Sequence, residues 1–291
     1  MLRELGHTVS IQVDWDGKAT DLMLALHARR SAASIRNYAM CCPDQPLILA
    51  LTGTDLYRDI RTDEEAQASL QLATRMIVLQ DMGLQELAPA LRKKARAIYQ
   101  HAKAVTKPVP LKSCFEVIVS GHLRDEKDPF RTAAAAALLP AESRIRVTHI
   151  GGAMSAAMEK EAKAWMNRTP RYRWLGSRSH GEALRLLARA RLMVISSRME
   201  GGANVVSEAL ANNTPVIGSK IPGNIGMLGR DYAGYYALED ERALSRLLVR
   251  AETDAFFLRK LTQQCRARKP LVRYERERDG LKRLLADVKN L

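Results

Sequence analysis

Aromatic residues make up only 5% of this 291-residue chain, and cysteines number four. So few rings leave little with which to stack unpaired bases, which argues against a single-stranded nucleic-acid platform. Cys41, Cys42, Cys114 and Cys265 fit no metal-binding or redox spacing, and the first two are adjacent. Reduced structural thiols in a cytoplasmic protein are the plain expectation. No apolar run reaches the roughly 18 residues that a membrane span requires. The opening stretch MLRELGHTVSIQVDWDG is broken by charge too early for a secretory signal. No cluster of metal-ligating residues is visible either, so the default is chemistry without a metal or cofactor.

What is present is ordinary for a soluble globular protein: 46% hydrophobic and 27% charged residues, enough chain for one large or two medium domains. The net charge of +14 invites a nucleic-acid partner, so its location matters. Residues 259–291 hold eleven Lys/Arg against four Asp/Glu, half of the total excess. The same segment repeats Leu281, Leu284, Leu285 and Val288 at helical spacing, so a packed C-terminal helix with a solvated basic face is expected. An anionic small-molecule substrate would benefit from the same field.

Short aliphatic runs alternate with longer amphipathic ones, which predicts an α/β fold with parallel sheets. Strand candidates in the first third are residues 8–13, 22–27, 46–52, 75–80 and 95–100. A proline-bearing linker, HAKAVTKPVPLKS, follows. The alternation then restarts with candidates at 114–121, 144–152, 172–176, 192–197 and 214–219. Two such runs predict two Rossmann-like domains facing across a cleft, over residues 1–110 and 111–268, with the helix of 269–291 packing back toward the first. The chain opens on helix-like MLRELGH, where such a domain normally opens with a strand and a loop, so the first domain is expected to lack both.

The stretch SSRMEGGANVVSEAL places two glutamates, Glu200 and Glu208, around a glycine pair at the end of a strand. Gly201 and Gly202 allow close backbone approach to a ligand. A helix starting near Asn204 would aim the N–H groups of Ala203, Asn204 and Val205 at a diphosphate or sugar. Glu208, one turn on, suits the two hydroxyls of a ribose, and Glu200 suits sugar hydroxyls near a reacting carbon. Two helix-start carboxylates favoured by the macrodipole are the alternative. In HARRS, the side chains of His27, Arg29 and Arg30 fall at a strand end. In TGTDLYRD, Thr52, Gly53, Thr54 and Arg58 follow the next strand. Arginine forks bind tetrahedral oxyanions; a solvated helix start and a core histidine are the plainer alternatives. His149 is expected to be structural, and Asp55 to be an N-cap.

The stretch EGGANVVSEALANNTPVIGSKIPG resembles the E-x7-E segment of family-four glycosyltransferases with the GT-B fold, with Pro215 and Gly223 in step. VSGHLRDEKDPF resembles their diphosphate-holding segment: Lys127 matches the lysine, His122 stands where the arginine is usual, and Arg124 supplies a second charge. YRWLG, ending at Gly176, is similar to the strand whose following loop cradles the nucleobase. Together with DLMLALHARRSAASI and PLILALTGTDLYRD, these segments resemble the selenosugar synthases of selenoneine biosynthesis. The resemblance implies transfer of a sugar, N-acetylglucosamine, from a UDP-sugar to selenophosphate. The residue reading is compatible with this: Lys127, Glu200 and His27 are the expected catalytic residues, with Arg29, Arg30, Thr52, Gly53, Thr54 and Arg58 expected on the acceptor. Relatives commonly carry histidine where Thr52 stands, so no such role is carried over. UDP-sugar and selenophosphate are then the partners, with neither nucleic acid nor an integral membrane. The alternatives are a hydroxyl-acceptor glycosyltransferase, or a basic nucleic-acid or membrane-surface binding protein with a degenerate site.

Overall fold

In the computed structural model, which describes residues 1–106 and 108–289, contacts divide the chain into two compact units. Met1–His101, Glu200–Gly202 and the residues from Tyr274 on form the first; Ala102–Met199 and Ala203–Arg273 form the second.

The first unit holds β1 (Met23–Leu26), α1 (Ala32–Cys41), β2 (Leu47–Ala50), a π-helical turn (Asp55–Asp59) running into α2 (Ile60–Thr62), α3 (Glu64–Leu72), β3 (Arg75–Val78), α4 (Pro89–Arg92) and β4 (Ala95–Ala97). The four strands pair in chain order, all parallel. Because side chains alternate along a strand, β2 sends Leu47, Leu49 and the following Leu51 into one core with Ile35, Tyr38, Met76 and Val78. Its other face sends Ile48 and Ala50 into a second core with Ile77, Ile98, Leu284 and Val288. A strand buried on both faces is a continuous aliphatic run, which is why PLILALT is so apolar.

The second unit holds β5 (Phe115–Ser120), α5 (Arg131–Ala137), β6 (Ile145–Ile150), α6 (Ala156–Arg168), β7 (Tyr172–Trp174), α7 (His180–Arg189), β8 (Leu192–Ile195), α8 (Asn204–Asn212), β9 (Val216–Ser219), α9 (Pro222–Leu228), β10 (Tyr235–Tyr236), α10 (Glu241–Thr253) and α11 (Ala255–Arg268); α12 (Tyr274–Lys289) returns to the first unit. Its six strands are parallel in the order β10-β9-β8-β5-β6-β7. The chain therefore winds outward from β5 one way and from β8 the other. The switch point lies between these two strands, where ligands of such sheets bind beyond the carboxyl ends.

Three expectations need correction. Residues 8–13 form no strand: Ile11 and Val13 are 87% and 97% exposed, because the alternation of Val9, Ile11 and Val13 finds no ladder partner. The segment is anchored instead at Trp15, whose ring meets Tyr38 edge-on at 5.5 Å. The helix-like start is a single 3-10 turn, Arg3–Leu5, ended by Gly6 at φ 89°. The boundary between units falls after His101 rather than after residue 110. Ala102 N–H donates to Val272 O at 3.1 Å and Val105 N–H to Asn212 Oδ1 at 2.9 Å, so the start of the linker is tied to the second unit. Residues 269–273 stay there as well. The edge strand β10 was not anticipated, since two residues carry no period.

Candidate functional site

At the switch point, β5 ends in Ser120 and the chain turns through Gly121, His122, Leu123 and Arg124 into a 3-10 turn, Asp125–Lys127. The loop can pass so close to the next strand only because Gly151 has no side chain. A Cβ there would sit 1.9 Å from Gly121 O, and its φ of 142° is one that L residues rarely adopt. Leu123 then bridges Ala153. His122 is exposed, and its Nδ1 accepts Gly152 N–H at 3.1 Å, so the ring is tied to its own loop. Arg124 is exposed and makes no side-chain ion pair among the described residues. Lys127 runs alongside Gly121, with its Cδ 4.0 Å from where a glycine Cβ would be.

The end of β8 stitches this lysine turn in place. Ser196 Oγ lies 3.1 Å from Lys127 O and 2.9 Å from Asp128 O, its proton shared between them. Arg198 N–H donates to Glu126 O at 2.9 Å, and its guanidinium donates to Asp125 O at 2.5 Å. The same guanidinium reaches Asp128 Oδ1 at 3.5 Å and Glu239 Oε1 at 2.5 Å. Arg131 holds the other Asp128 oxygen at 2.8 Å and Glu241 at 2.5 Å. Burial disfavours the Arg131 cation, but Asp128 and Glu241 outweigh it and raise its pKa; Glu239, hydrogen-bonded to Arg198, is held below the usual carboxylate range. Asp128 itself sits at φ 43°, in the left-handed region that few non-glycine residues enter.

Further along the chain from β8, α8 opens at Ala203 with no side-chain cap, leaving its first N–H groups to other partners. Asn204 is exposed and Val205 half-buried. One turn on, Glu208 Oε1 lies 2.9 Å from His180 Nε2, at the start of α7. That start carries a capping box of Ser179 and Glu182, and Gly176 before it turns at φ 71°. Gly176 O in turn accepts Gly151 N–H at 2.9 Å.

In the first unit the ends of β1 and β2 carry a polar cluster. His27, buried at φ 74°, accepts Arg30 N–H on Nδ1 at 3.3 Å and faces Thr54 Oγ1 with Nε2 at 2.9 Å. Burial lowers the pKa of the ring, against the opposing pull of the Asp55 and Asp59 carboxylates. His27 and Thr54 thus face each other at the two strand ends. Asp55 is fully buried and accepts Ala28 N–H, Thr52 N–H and Thr52 Oγ1 at 3.0, 2.9 and 2.9 Å. It knits the two strand ends together instead of capping a helix start. Asp59 Oδ1 takes Arg58 Nε at 3.0 Å, whereas its Oδ2 is buried with no hydrogen-bond partner among the described residues. That oxygen lies 3.8 Å from His27 Nε2 and 3.8 Å from Arg29 Nε. Arg30 is exposed, with no side-chain partner among the described residues.

Glu200–Gly202 belong by their contacts to this cluster. A Cβ on Gly201 would lie 1.6 Å from Thr52 O, one on Gly53 3.2 Å from Gly201 N, and one on Gly202 2.4 Å from Leu79 Cβ. Glu200 is buried among them. The first unit thus brings together His27, Arg29, Arg30, Thr52, Gly53, Thr54, Arg58 and Glu200, and the second brings together His122, Lys127, Gly176, Asn204 and Glu208. Ser196, Arg198, Asp128, His180 and Asp59 belong to these clusters too, but carried no sequence signal beyond their residue type.

Residues 107–269, more than half of the chain, match the family model described as glycosyl transferases group 1. No curated protein matches the chain in sequence. Among solved structures, Anabaena Alr3699/HepE in complex with UDP and glucose is 16% identical over 93% of this chain and 78% of its own, with a TM-score of 0.72. Sucrose-phosphate synthase from Thermosynechococcus elongatus is 19% identical over 93% and 74%, at a TM-score of 0.74. A UDP-forming trehalose-phosphate synthase from Burkholderia vietnamiensis is 12% identical over 99% and 74%, at 0.75. These likenesses establish the GT-B type of α/β fold. Among the described residues no helix is long and apolar enough to cross a membrane. The chain belongs to the group 1 glycosyl transferases.

Proposed function

We propose that the protein transfers a sugar from a UDP-sugar to selenophosphate. The observation that carries the donor half is the lysine turn at the switch point, stitched to the end of β8, the strand from which the chain runs on to the uncapped start of α8. Lys127, with Arg124 and the N–H groups of residues 203–205, neutralises the charge that grows on the departing diphosphate. Glu208, braced by His180, accepts the ribose hydroxyls. Glu200 contacts sugar hydroxyls near the anomeric carbon. UDP is found with Anabaena Alr3699/HepE, a member of the same fold.

The acceptor half rests on the resemblance to selenosugar synthases and on Arg29, Arg30 and Arg58 around the first unit's strand ends. Selenium in selenophosphate is already anionic, so no general base is required. This agrees with a His27 whose nitrogens are both engaged. The Se–C1 bond forms as the C1–O bond to UDP breaks, and water then cleaves the Se–P bond to release phosphate. Buried Asp59 Oδ2, which accepts no hydrogen bond among the described residues, favours a second reading, a hydroxyl acceptor that would donate to it. Incubation with UDP-N-acetylglucosamine, with and without selenophosphate, separates the two by mass spectrometry. A selenosugar bearing the selenium isotope pattern, formed together with UDP, is expected. UDP release indifferent to selenophosphate would leave the hydroxyl acceptor.

A further inference from the structure

We propose that Arg198 is a positioning residue for the diphosphate: by holding Asp128 and the carbonyl of Asp125, it sets the turn that presents Lys127. The inference rests on the reading of this site as a UDP-sugar site and adds a residue to it. Lys127 sits on a three-residue turn whose exit, Asp128, has a left-handed backbone. A non-glycine residue stays in such a conformation only where its surroundings over-determine it. Here they do so through Arg131, at the start of the next helix, and Arg198, beyond the end of β8. Arg131 takes one carboxylate oxygen and Arg198 the other, while Arg198 also reaches the carbonyl of Asp125 and, through its main chain, that of Glu126.

Charge makes the same point. Asp128 is the immediate neighbour of Lys127, and an unpaired carboxylate there would repel the phosphates that the lysine attracts. Two guanidiniums neutralise it and hold it back, and they are themselves balanced by Glu239 and Glu241. Arg198 is 39% exposed, and partly exposed arginine pairs contribute little to folding. Its extended set of bonds to one short turn is thus better explained by the precision of that turn than by stability.

Calorimetric titration of the full chain with UDP and with uridine tests this. Arg198→Ala should weaken UDP binding about tenfold, the scale of losing a charge-assisted hydrogen bond, and leave uridine affinity within about twofold. Arg198→Lys, which keeps the charge but cannot bridge, should fall in between and guards against a misfolded alanine variant. Equal losses for UDP and uridine, or no loss for either, would overturn the positioning role while leaving the nucleotide site intact. A native chain that binds neither ligand would overturn the nucleotide site itself, and the role of Arg198 with it.

Discussion

His149 shows how the lysine loop depends on a residue that never meets a ligand. Its ring is buried in β6, Nε2–H donating to Gly121 O at 3.2 Å and Nδ1 accepting from Tyr172 Oη at 2.9 Å. Burial, only partly offset by the hydrogen bond to Gly121, pushes its pKa down from 6.5 to about 4. The unfolded chain therefore takes up this proton near 6.5 and the folded chain not until about 4. Stability is fully present above pH 6.5 and is lost as the pH falls toward 4, by up to ~1.4 kcal/mol per unit. Urea unfolding followed from pH 7 to 4 should show that slope, and His149→Gln should flatten it; an unchanged slope would mean that the ring is protonated in place. The sequence made such residues legible to different degrees. Glu200 and Glu208 stand out by their spacing around a glycine pair, and Lys127 by the resemblance of VSGHLRDEKDPF to the family's diphosphate-holding segment. Ser196, Arg198 and Asp128 do not, because their role exists only once segments about seventy positions apart meet at one turn.

Elements were legible where a period could be counted. The strands buried on both faces, β2 and β8, are unbroken aliphatic runs in the sequence. α7 and α12 announce themselves by apolar residues three and four apart. Residues 8–13 mimic a strand locally and fail because pairing, which periodicity cannot supply, decides the outcome. Joints between elements were less legible, and Gly151 is the clearest case. The glycine pair after β6 was visible, but not that Gly121 O stands where a Cβ would go. Gly151→Ala should cost at least about 3 kcal/mol, since backbone strain adds to a clash with main chain that no rotamer can relieve. Gly181→Ala is the control, because its added methyl meets nothing nearer than Arg185 Nη1 at 3.9 Å. Denaturant midpoints of the two variants should differ widely. If they coincide, the loops of β5 and β6 can move apart more easily than their hydrogen bonds suggest.

The molecule as a whole uses both ends of its chain to build the first unit. Its sheet has α1 and α3 over one face. On the other, Leu284 and Val288 of α12 close over Ile48, Ala50, Ile77 and Ile98, with Leu281 and Leu285 at the margin. Gly280 faces Ile98 on the same side of the helix. The positive excess of this segment is carried on its outer side, where Lys282 and Arg283 are exposed, so the charge solvates a helix whose other side is core. Without α12 one face of a four-stranded sheet would be bare, and a sheet of that size buries too little to stand alone with an open face. Leu284→Ala should therefore cost about 2–5 kcal/mol, the range for emptying a well-packed leucine site. The loss should be local, because the second unit closes its own sheet with its own helices. Hydrogen exchange resolved along the chain should lose protection in β1, β2, β3 and β4, while β5, β6, β8 and β9 keep theirs. A uniform loss over all ten strands would show instead that the two units unfold as one, and that the C-terminal helix stabilises far more than the sheet it covers.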